Sequence, residues 1–350
     1  MKDLIRSPEY LKQVLEFFPH LKIGVVGDIG LDGYWYIDMT RSHLSRETPL
    51  FPRPVVRETY SPGAGSNVAQ NLKALGVGLV EVFTVIGEDN WAKVLLAELE
   101  KRDIRTEQIL QSPERRTTTY IKLILMGYNS QQEDARIDFE NTNPVPGEVA
   151  DQLINRLEDS LPVLDALIIT DQLEINGVIT PAIQTRLVEL AAQFKEKPIL
   201  VDSRQRIGVY DHMVLKPNWI EAVLALHPDR DPRHASWEDL IETGKVMSQK
   251  SGRPVFVTLS ERGVLVCDQD DYEHIPAAPV RPPLDPVGAG DTFIAALAAC
   301  LAMGVSPLQA GWIANLAAAV TVEKLHETGT ASPQEIMARY QMTLVPEGGA

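Results

Sequence analysis

Residues 285–291, DPVGAGD, combine a glycine-rich loop with a carboxylate and run directly into an apolar, helix-like segment. Gly288 and Gly290 allow a tight turn and leave room for a ligand, because neither carries a side chain. A helix starting near residue 289 points unpaired N–H groups into the same space, which favours phosphate or another oxyanion. Asp291 beside such a site can accept a proton from an alcohol, and the combination suits phosphoryl transfer to a hydroxyl. The alternative is that Asp291 only caps the helix.

A second tight turn, SPGAGSNVAQN at 61–71, contains Pro62, Gly63 and Gly65 and leads into another helical pattern. Asn67 falls in the first turn of this helix, where its amide can both donate to and accept from a sugar hydroxyl. The alternative is an ordinary turn followed by a polar helix start. The segment therefore adds a candidate binding residue without fixing its ligand.

The stretch GDIGLDGYW at 27–35 places Asp28 and Asp32 just past the first predicted strand, where open α/β sheets bind ligands. Its glycine spacing does not match GxGxxG, and the chain continues as a strand instead of a helix, so a dinucleotide-binding fingerprint fits poorly. The sequence also contains no GxxxxGK[ST], which excludes a P-loop.

Short β-branched runs alternate with helical patterns over most of the 350 residues, beginning with LKIGVVGD at 21–28. One such helix, at 89–103, has Asp89 placed to cap it. This alternation is typical of a parallel sheet with helices on both faces. A strand is also predicted at 212–218, and an amphipathic helix is predicted within residues 1–20.

Two segments, 30–60 and 117–140, interrupt the alternation with strand-like sequence. The second predicts a hairpin turning at GYNS, 127–130, with alternation that gives its sheet one wet face. We expect the two insertions to form a small β-sheet that covers the end of the parallel sheet as a lid over a ligand. The apolar faces of the lid strands predict pairing with a second lid, hence a homodimer.

The composition is that of a soluble globular protein, with 44% apolar and 23% charged residues. A net charge of −15 argues against nucleic-acid binding but does not exclude a small anionic ligand. Cys267 and Cys300 show no CxxC spacing and indicate a reducing compartment. The N-terminus lacks the apolar core of a signal peptide, and the apolar run at 293–305 is too short to span a membrane. These features predict a cytoplasmic protein with no membrane partner.

The motifs together resemble those of the ribokinase-like (PfkB-type) carbohydrate kinases, over roughly residues 20–335. PGAGSNVAQNLKALG is similar to that family's first signature and DPVGAGDTFIAALAA to its second. Between them, LKPNWIEA at 215–222 resembles the PN-x-x-E motif, and VTLSERGVLV at 257–266 resembles a nucleotide-binding strand and turn. The heptose-phosphate kinases, represented by the kinase domain of ADP-heptose synthase, share VVGDIGLDGYWY, PVVRETYSPGAGSNVAQNL and QQEDARIDFE most closely.

The resemblance implies a single ribokinase-like domain over residues 1–350, with a three-layer α/β/α core, a mainly parallel sheet and the β-sheet lid. It implies a phosphotransferase that uses ATP and Mg²⁺, acting on an alcohol group of a sugar or sugar phosphate such as heptose 7-phosphate. Another small polyol, or a nucleoside, is the alternative acceptor within the family. A nucleotide-linked oxidoreductase and a non-catalytic sugar-binding relative are the alternatives outside it.

The resemblance also assigns roles to individual residues. Asp291 matches the general base, and the Gly288, Ala289 and Gly290 loop matches the anion hole. The positions matching the sugar site, including the lid strand, are Asp32, Gly63, Asn67, Arg136, Asp138 and Glu140. The positions matching the nucleotide site are Asn218, Thr258, Ser260, Gly263 and Asn315; helix packing is the alternative for Asn315. Asn218 and Glu221 match residues that organise Mg²⁺ through water, and Asp285 matches a monovalent-cation loop that binds K⁺ in many members.

The chain departs from the family pattern at several positions. Ser260 stands where many members have glycine, which alters the nucleotide turn without abolishing it. The loop at 323–333 is longer than usual, which bears on the cation site, and 169–177 lacks the Lys-Gly of the heptose kinases. The three arginines of 41–54 are candidates for contacting a substrate phosphate, with a solvated loop as the alternative. The nucleotidyltransferase domain of bifunctional heptose enzymes is absent from these 350 residues.

Overall fold

The computed structural model describes residues 6–325 and 329–344. Its helices are α1 (Pro8–Phe17), α2 (Gly65–Ala74), α3 (Asn90–Glu100), α4 (Gly147–Ser160), α5 (Pro181–Gln193), α6 (Trp219–Leu226), α7 (Trp237–Ser251), α8 (Ala289–Ala302), α9 (Pro307–Thr321) and α10 (Pro333–Thr343). Its strands are β1 (Lys22–Gly27), β2 (Ile29–Asp38), β3 (Val55–Ala64), β4 (Leu79–Gly87), β5 (Ile109–Ser112), β6 (Thr119–Met126), β7 (Gln131–Phe139), β8 (Ala166–Asp171), β9 (Ile199–Ser203), β10 (Val214–Leu215), β11 (Val255–Thr258), β12 (Val264–Asp268) and β13 (Asp271–Ile275).

Nine strands of the described chain form a large sheet in the order β13-β12-β11-β10-β9-β8-β1-β4-β5. Neighbouring strands from β11 to β5 are parallel, whereas β12 and β13 add an antiparallel edge. Every residue of β8, ALIITD, is buried, as expected for a strand covered on both faces. The carboxyl ends of the parallel strands therefore share one edge, and the loops that follow them meet there.

Helices cover both faces of this sheet and create two cores. Successive strand residues alternate between them: Val25 packs in the core with α2, α8 and α9, and Val26 in the core with α4, α5 and α7. This alternation follows from the two-residue period of a strand. The predicted α/β core with a mainly parallel sheet is confirmed.

The lid sheet consists of four strands of the described chain in the order β3-β2-β6-β7, with β2 and β6 parallel at its centre. The predicted hairpin is confirmed: β6 and β7 are antiparallel, and the Gly127 N–H donates to the Ser130 carbonyl over 2.9 Å. Tyr120 and Lys122 line a cavity on one face, whereas Ile121 is buried on the other. The lid thus presents a polar face to the end of the large sheet.

The structure differs from the predicted elements in a few places. The strand expected at 212–218 contains only Val214–Leu215, since His212 has a φ of +65° and Pro217 has no N–H to add to a ladder. Sequence patterns also do not predict the short, largely apolar α6, nor α4, nor β13, whose first four residues are exposed. Within the described ranges, no helix has the length and apolar character needed to cross a bilayer.

Candidate active site

The N-terminus of α8 forms the centre of the candidate site. Gly288 precedes the helix in the left-handed region, with φ +82°, so the chain turns there with no side chain in the way. Asp291 lies in the first turn but makes no capping bond; its Oδ2 instead accepts a hydrogen bond of 2.6 Å from Asn67 Nδ2. The capping interpretation of Asp291 is therefore wrong, and the two glycine-rich motifs meet through this bond.

Asn67 is itself held by a buried chain of hydrogen bonds. Asn71 Nδ2 donates to the Asn67 carbonyl over 2.9 Å, and Thr292 Oγ1 donates to Asn71 Oδ1 over 2.6 Å. Thr292 Oγ1 also lies 2.8 Å from Thr321 Oγ1. These bonds join α2, α8 and α9, so the carboxylate of Asp291 has a fixed partner on a neighbouring helix.

A cavity of about 520 Å³ opens in front of Asp291, between the lid sheet and the carboxyl edge of the large sheet. Residues from both motifs, from the lid and from the ends of three central strands line it. They are Asp32, Ala64, Asn67, Tyr120, Lys122, Arg136, Gln172, Leu173, Asp202, Arg204, Lys216, Asn218, Glu221, Val287, Gly288, Gly290 and Asp291.

Lys216 brings a buried positive charge to this cavity. Its Nζ lies 3.4 Å from Asp202 Oδ1, and a Cβ on Gly290 would lie 3.5 Å from Nζ, so the ammonium sits beside the glycine loop. Burial lowers the pKa of Lys216, but the carboxylates of Asp202, Glu221 and Asp291 outweigh it and raise the pKa above the ordinary lysine value. Lys216 therefore stays protonated and can bind an anion at the α8 terminus.

Burial raises the pKa of Asp291 to about 6. The hydrogen bond from Asn67 and the positive charge of Lys216 act in the opposite direction, whereas Asp202 adds to the increase. Asp291 is thus ionised at neutral pH with a proton affinity above that of a free carboxylate, which suits a group that accepts a proton.

On the lid side, Asp32 packs directly on Gly63: a Cβ at Gly63 would lie 2.6 Å from Asp32 Cγ. Burial raises the pKa of Asp32 to about 6, opposed by the charges of Lys122 and Arg136. Arg136 lines the cavity, and its guanidinium lies over the Tyr120 ring at 4.8 Å from the centroid. The lid therefore contributes both a carboxylate and cations to the same space.

The other two lid candidates lie differently. The Asp138 carboxylate accepts two hydrogen bonds from Arg136, of 2.7 and 2.6 Å, and so orients that guanidinium. Glu140 is exposed just after β7. Neither is among the described residues that line the cavity. The 41–54 segment is largely exposed, and its Arg53 is paired with Asp134 of β7.

Asn218 and Glu221 begin α6 and form a reciprocal capping box. Asn218 Oδ1 accepts from the N–H groups of Ile220 and Glu221, and Glu221 Oε2 accepts from the Asn218 N–H over 2.7 Å. The described residues contain no group of three or more His, Cys, Asp or Glu placed to hold a metal directly. A hydrated Mg²⁺ carried by substrate phosphates fits this arrangement, since it needs only a carboxylate within reach of its waters.

Thr258 ends β11, Ser260 and Gly263 lie in the turn that follows it, and Asn315 lies in α9. The Thr258 N–H donates to the Pro217 carbonyl over 2.9 Å, which places the turn beside the Asn218 loop. Ser260 has a φ of +54°, the left-handed region that glycine prefers, and Gly263 has +90° with no room for a Cβ against the Ile275 carbonyl. Asn315 Nδ2 donates to the Pro276 carbonyl over 2.7 Å. This hydrogen bond agrees with the alternative in which Asn315 serves helix packing.

Asp285 lies at the start of the glycine loop, where its Oδ1 accepts from the Val287 N–H over 3.0 Å and its own N–H donates to the Val322 carbonyl. The middle of the long loop predicted at 323–333, residues 326–328, lies outside the described residues. Asp28, in contrast, is not among the described residues that line the cavity, and its carboxylate accepts three backbone hydrogen bonds.

Sequence reasoning missed several residues of the cavity, namely Lys122, Gln172, Asp202, Arg204 and Lys216. Lys216 immediately precedes the PN-x-x-E motif, which is a signal that could have identified it. Asp202 lies at the carboxyl end of β9, Arg204 directly follows β9 and Gln172 directly follows β8, at the edge that already singled out Asp32. Lys122 belongs to the alternation that predicts the polar face of the lid, although that pattern does not single it out as a binding residue.

A family model of the pfkB family carbohydrate kinases matches residues 53–335. The chain belongs to this family. It is therefore a sugar kinase, and the oxidoreductase alternative is excluded by this membership.

The sequence relatives of this kinase include the bifunctional protein HldE of Trichlorobacter lovleyi, 36% identical over 326 residues, and that of Citrifermentans bemidjiense, 31% identical over 336 residues. These alignments cover 92% and 93% of this chain but only 63% and 65% of the relatives. The kinase thus spans under two thirds of the length of these relatives.

Solved structures share the fold. A ribokinase of Arabidopsis thaliana complexed with ribose and ATP superposes with a TM-score of 0.66 at 18% identity, covering 92% of this chain and 99% of that one. The phosphofructokinase-2 of Escherichia coli in complex with potassium gives a TM-score of 0.69 at 16% identity, covering 93% and 100%. The fold is therefore ribokinase-like.

Proposed function

We propose that this kinase transfers the γ-phosphoryl group of ATP to a hydroxyl of a sugar or sugar phosphate, with Asp291 as the general base. One observation carries the proposal: the Asp291 carboxylate lies in the first turn of α8, is held by Asn67, and faces a cavity of about 520 Å³. A carboxylate and an anion site at one helix terminus bring a base and a phosphoryl group within reach of the same hydroxyl.

In this mechanism the acceptor sugar lies between the lid and α2, where Asp32 and Asn67 bind its hydroxyl groups. Asp291 takes the proton of the attacking hydroxyl as its oxygen approaches the γ-phosphorus in line. The N–H groups of Gly288 and Gly290 at the α8 terminus stabilise the negative charge on the transferred group. The Ala289 N–H, also predicted for this role, donates to the Pro286 carbonyl over 3.2 Å in this structure. Lys216, beside Gly290, adds a fixed positive charge on the same side.

The nucleotide lies along Asn218, Thr258, Ser260, Gly263 and Asn315. Thr258 lies next to Asn218, which lines the cavity, because the Thr258 N–H donates to the Pro217 carbonyl and the two residues form a β-bridge. Asn218 and Glu221 would hold a hydrated Mg²⁺ through water, and such an ion would supply positive charge opposite the phosphate groups.

We propose a phosphorylated acceptor, of which heptose 7-phosphate is the leading candidate. Lys122, Arg136 and Arg204 line the acceptor side of the cavity although the chain carries a net charge of −15. Such a local concentration of cations favours an anionic substrate. The shared motifs and the HldE relatives point to the same acceptor; another small polyol or a nucleoside is the second candidate.

An ADP-release assay over heptose 7-phosphate, sugar phosphates, unphosphorylated sugars, polyols and nucleosides tests this. We expect the highest kcat/KM with a sugar phosphate, and a loss of activity in the Asp291→Asn variant. Equal kcat/KM for a sugar and its phosphate ester would contradict the phosphorylated acceptor alone. No ADP release with any of these acceptors would contradict the proposed function.

We further propose a homodimer formed through the lid. Apolar side chains of the lid and its 41–54 connection are exposed, among them Leu50 at 67%, Phe51 at 64% and Val56 at 43%. Burying such side chains in a second copy removes their apolar surface from water. Sedimentation at micromolar concentration should show a dimer that Phe51→Ser weakens, and a wild-type chain that is only monomeric would refute this.

We also propose that K⁺ binds at Asp285 and the backbone around Val287. Asp285 has one carboxylate oxygen engaged by the Val287 N–H, and it opens the loop that leads to Gly288. A cation there would fix this loop by binding oxygen atoms. ADP release should rise when K⁺ replaces tetramethylammonium, and equal rates in the two salts would dismiss the site.

A further inference from the structure

The loop at 172–178 joins β8 to α5 and supplies Gln172 and Leu173 to the cavity. It contains no helix or strand, and Ile175 near its middle is 77% exposed. A loop of this kind does not hold a binding side chain in place by itself, because irregular backbone lacks a repeating hydrogen-bond pattern. Its position must be set by contacts from the core.

Asp28 supplies the first of these contacts. Asp28 is only 1% exposed, and its carboxylate accepts three backbone hydrogen bonds from the loop: from Gln172 at 2.9 Å, Leu173 at 2.8 Å and Val178 at 2.5 Å. Gly177 leaves room for it, since a Cβ there would lie 3.0 Å from both carboxylate oxygens. One carboxylate thus holds both ends of the loop by charge-assisted hydrogen bonds.

Arg115 supplies the second contact. Its side chain is also buried, and its Nη1 donates to the carbonyls of Asn176 and Asn143, each at 2.8 Å. Burial lowers the pKa of Arg115, and the nearby charge of Asp28 acts against this. A buried anion therefore binds the N–H groups of the loop while a buried cation binds one of its carbonyls.

The main chain of Asp28 reaches the opposite side of the acceptor site. The Gly65 N–H, at the start of α2, donates to the Asp28 carbonyl over 2.9 Å, and the Asp28 N–H donates to Thr170 over 2.9 Å. The helix that carries Asn67 and the loop that carries Gln172 are thus fixed to one residue. Asp28 and Arg115 can therefore set the distance between this helix and this loop without contacting a substrate.

We propose that Gln172 binds the acceptor and that Asp28 and Arg115 are positioning residues that hold it in the cavity. The inference rests on the proposed kinase function, because it concerns the acceptor side of the same site. Gln172 lines the same cavity as Asp32, Arg136 and Arg204, and its amide can donate to and accept from hydroxyl groups. Binding groups of this kind act only when held to within about 0.5 Å.

Steady-state kinetics with both substrates tests the roles. We expect Gln172→Ala and Asp28→Asn to raise KM for the acceptor at least about tenfold, with KM for ATP changed by less than about twofold. Arg115→Met should act like Asp28→Asn, and Arg115→Lys should recover part of the loss because it keeps the charge and one donor. Ile175→Ala, on the exposed side of the same loop, is the control and should match the wild type. An unchanged acceptor KM in Gln172→Ala or in Asp28→Asn would overturn the inference.

Hydrogen exchange tests the positioning without any turnover. The amides of Gln172, Leu173 and Val178 should be protected in the wild type and should exchange at least about tenfold faster in Asp28→Asn. Equal exchange in the two proteins would overturn the positioning role. If the wild type phosphorylates no sugar or polyol, the proposed function fails while the exchange result still decides whether Asp28 holds the loop.

Discussion

Replacing Asp291 by asparagine should abolish most of the activity and, at the same time, stabilise the fold at alkaline pH. The amide cannot accept the hydroxyl proton, and loss of a general base costs about 10²–10⁴-fold in rate. The amide keeps the shape of the side chain and still offers an oxygen to Asn67 Nδ2, now 2.6 Å from Asp291 Oδ2. The rate falls because the proton acceptor is lost, and the fold is stabilised because a buried ionised carboxylate is removed.

The size of the stability gain follows from the pKa. Raising the pKa of Asp291 from 3.8 to about 6 corresponds to about 3 kcal/mol, at about 1.4 kcal/mol per pH unit. The pKa of Asp291 is higher in the folded than in the unfolded wild type. The free energy of unfolding of the wild type is therefore highest below pH 4, and it decreases by this amount as the pH rises through about 6. Asp291 is partly exposed to solvent, and its replacement removes one carboxylate neighbour of Lys216. Both reduce the gain, so we expect on the order of 1–2 kcal/mol at pH 8.

Urea unfolding at pH 8 and pH 4, together with ADP release between pH 5 and 9, measures both effects. The variant should unfold at higher urea than the wild type at pH 8, and the difference should vanish at pH 4. Wild-type kcat/KM should fall about tenfold per pH unit below the pKa of about 6. Asp229→Asn, an exposed carboxylate, is the matched control. A variant that is less stable than the wild type at pH 8, or that keeps more than about a tenth of its kcat, would refute the reasoning.

Three further substitutions give separate results. Gly63→Ala places a Cβ 2.6 Å from Asp32 Cγ, so the acceptor KM should rise at least about tenfold with little change in the ATP KM; an unaltered acceptor KM would count against Asp32. Lys216→Met removes the buried ammonium beside Gly290, and kcat should fall about 10²–10³-fold in the ADP-release assay. A kcat close to that of the wild type would refute the role of this charge in phosphoryl transfer. Ser260→Gly relieves the left-handed φ of +54° and should raise the free energy of unfolding by about 0.5–1 kcal/mol in urea, with Ser260→Ala as the control that gains nothing.

The fold could be predicted from the sequence because its strands are buried on both faces and read as continuous apolar runs. The lid could be predicted because alternation at Tyr120, Lys122 and Ile124 marks a sheet with one polar face. The edge strand β13 could not, since its exposed residues DYEH carry no apolar alternation. The length of β10 could not be predicted either. The strand is short because Pro217 has no N–H and because His212 has a φ of +65°, and strand propensity does not include the second effect.

The position of candidate residues could be predicted where one motif places backbone and side chain together, as at Gly288 and Asp291. The meeting of Asn67 with Asp291 depends on tertiary packing between residues 224 positions apart. Asp28 and Asp32 both lie close to the end of the first strand, at the edge of the sheet where ligands bind. The carboxylate of Asp28, however, accepts hydrogen bonds from three backbone N–H groups of a loop. Which of two neighbouring carboxylates is free for a ligand is decided by surrounding backbone groups that the local sequence does not reveal.

The residues that line the cavity come from two separate parts of the sequence. Its lid, α2 and β8-loop residues all precede position 174, whereas Asp202, Lys216 and the α8 terminus all follow position 201. The residues proposed for acceptor binding, apart from Arg204, therefore lie in the first half of the sequence, and those proposed for phosphoryl transfer lie in the second half, joined in space by bonds such as that of Asn67 to Asp291. Recombination between relatives near residues 180–195 would exchange most of the proposed acceptor side and leave the proposed phosphoryl-transfer residues unchanged.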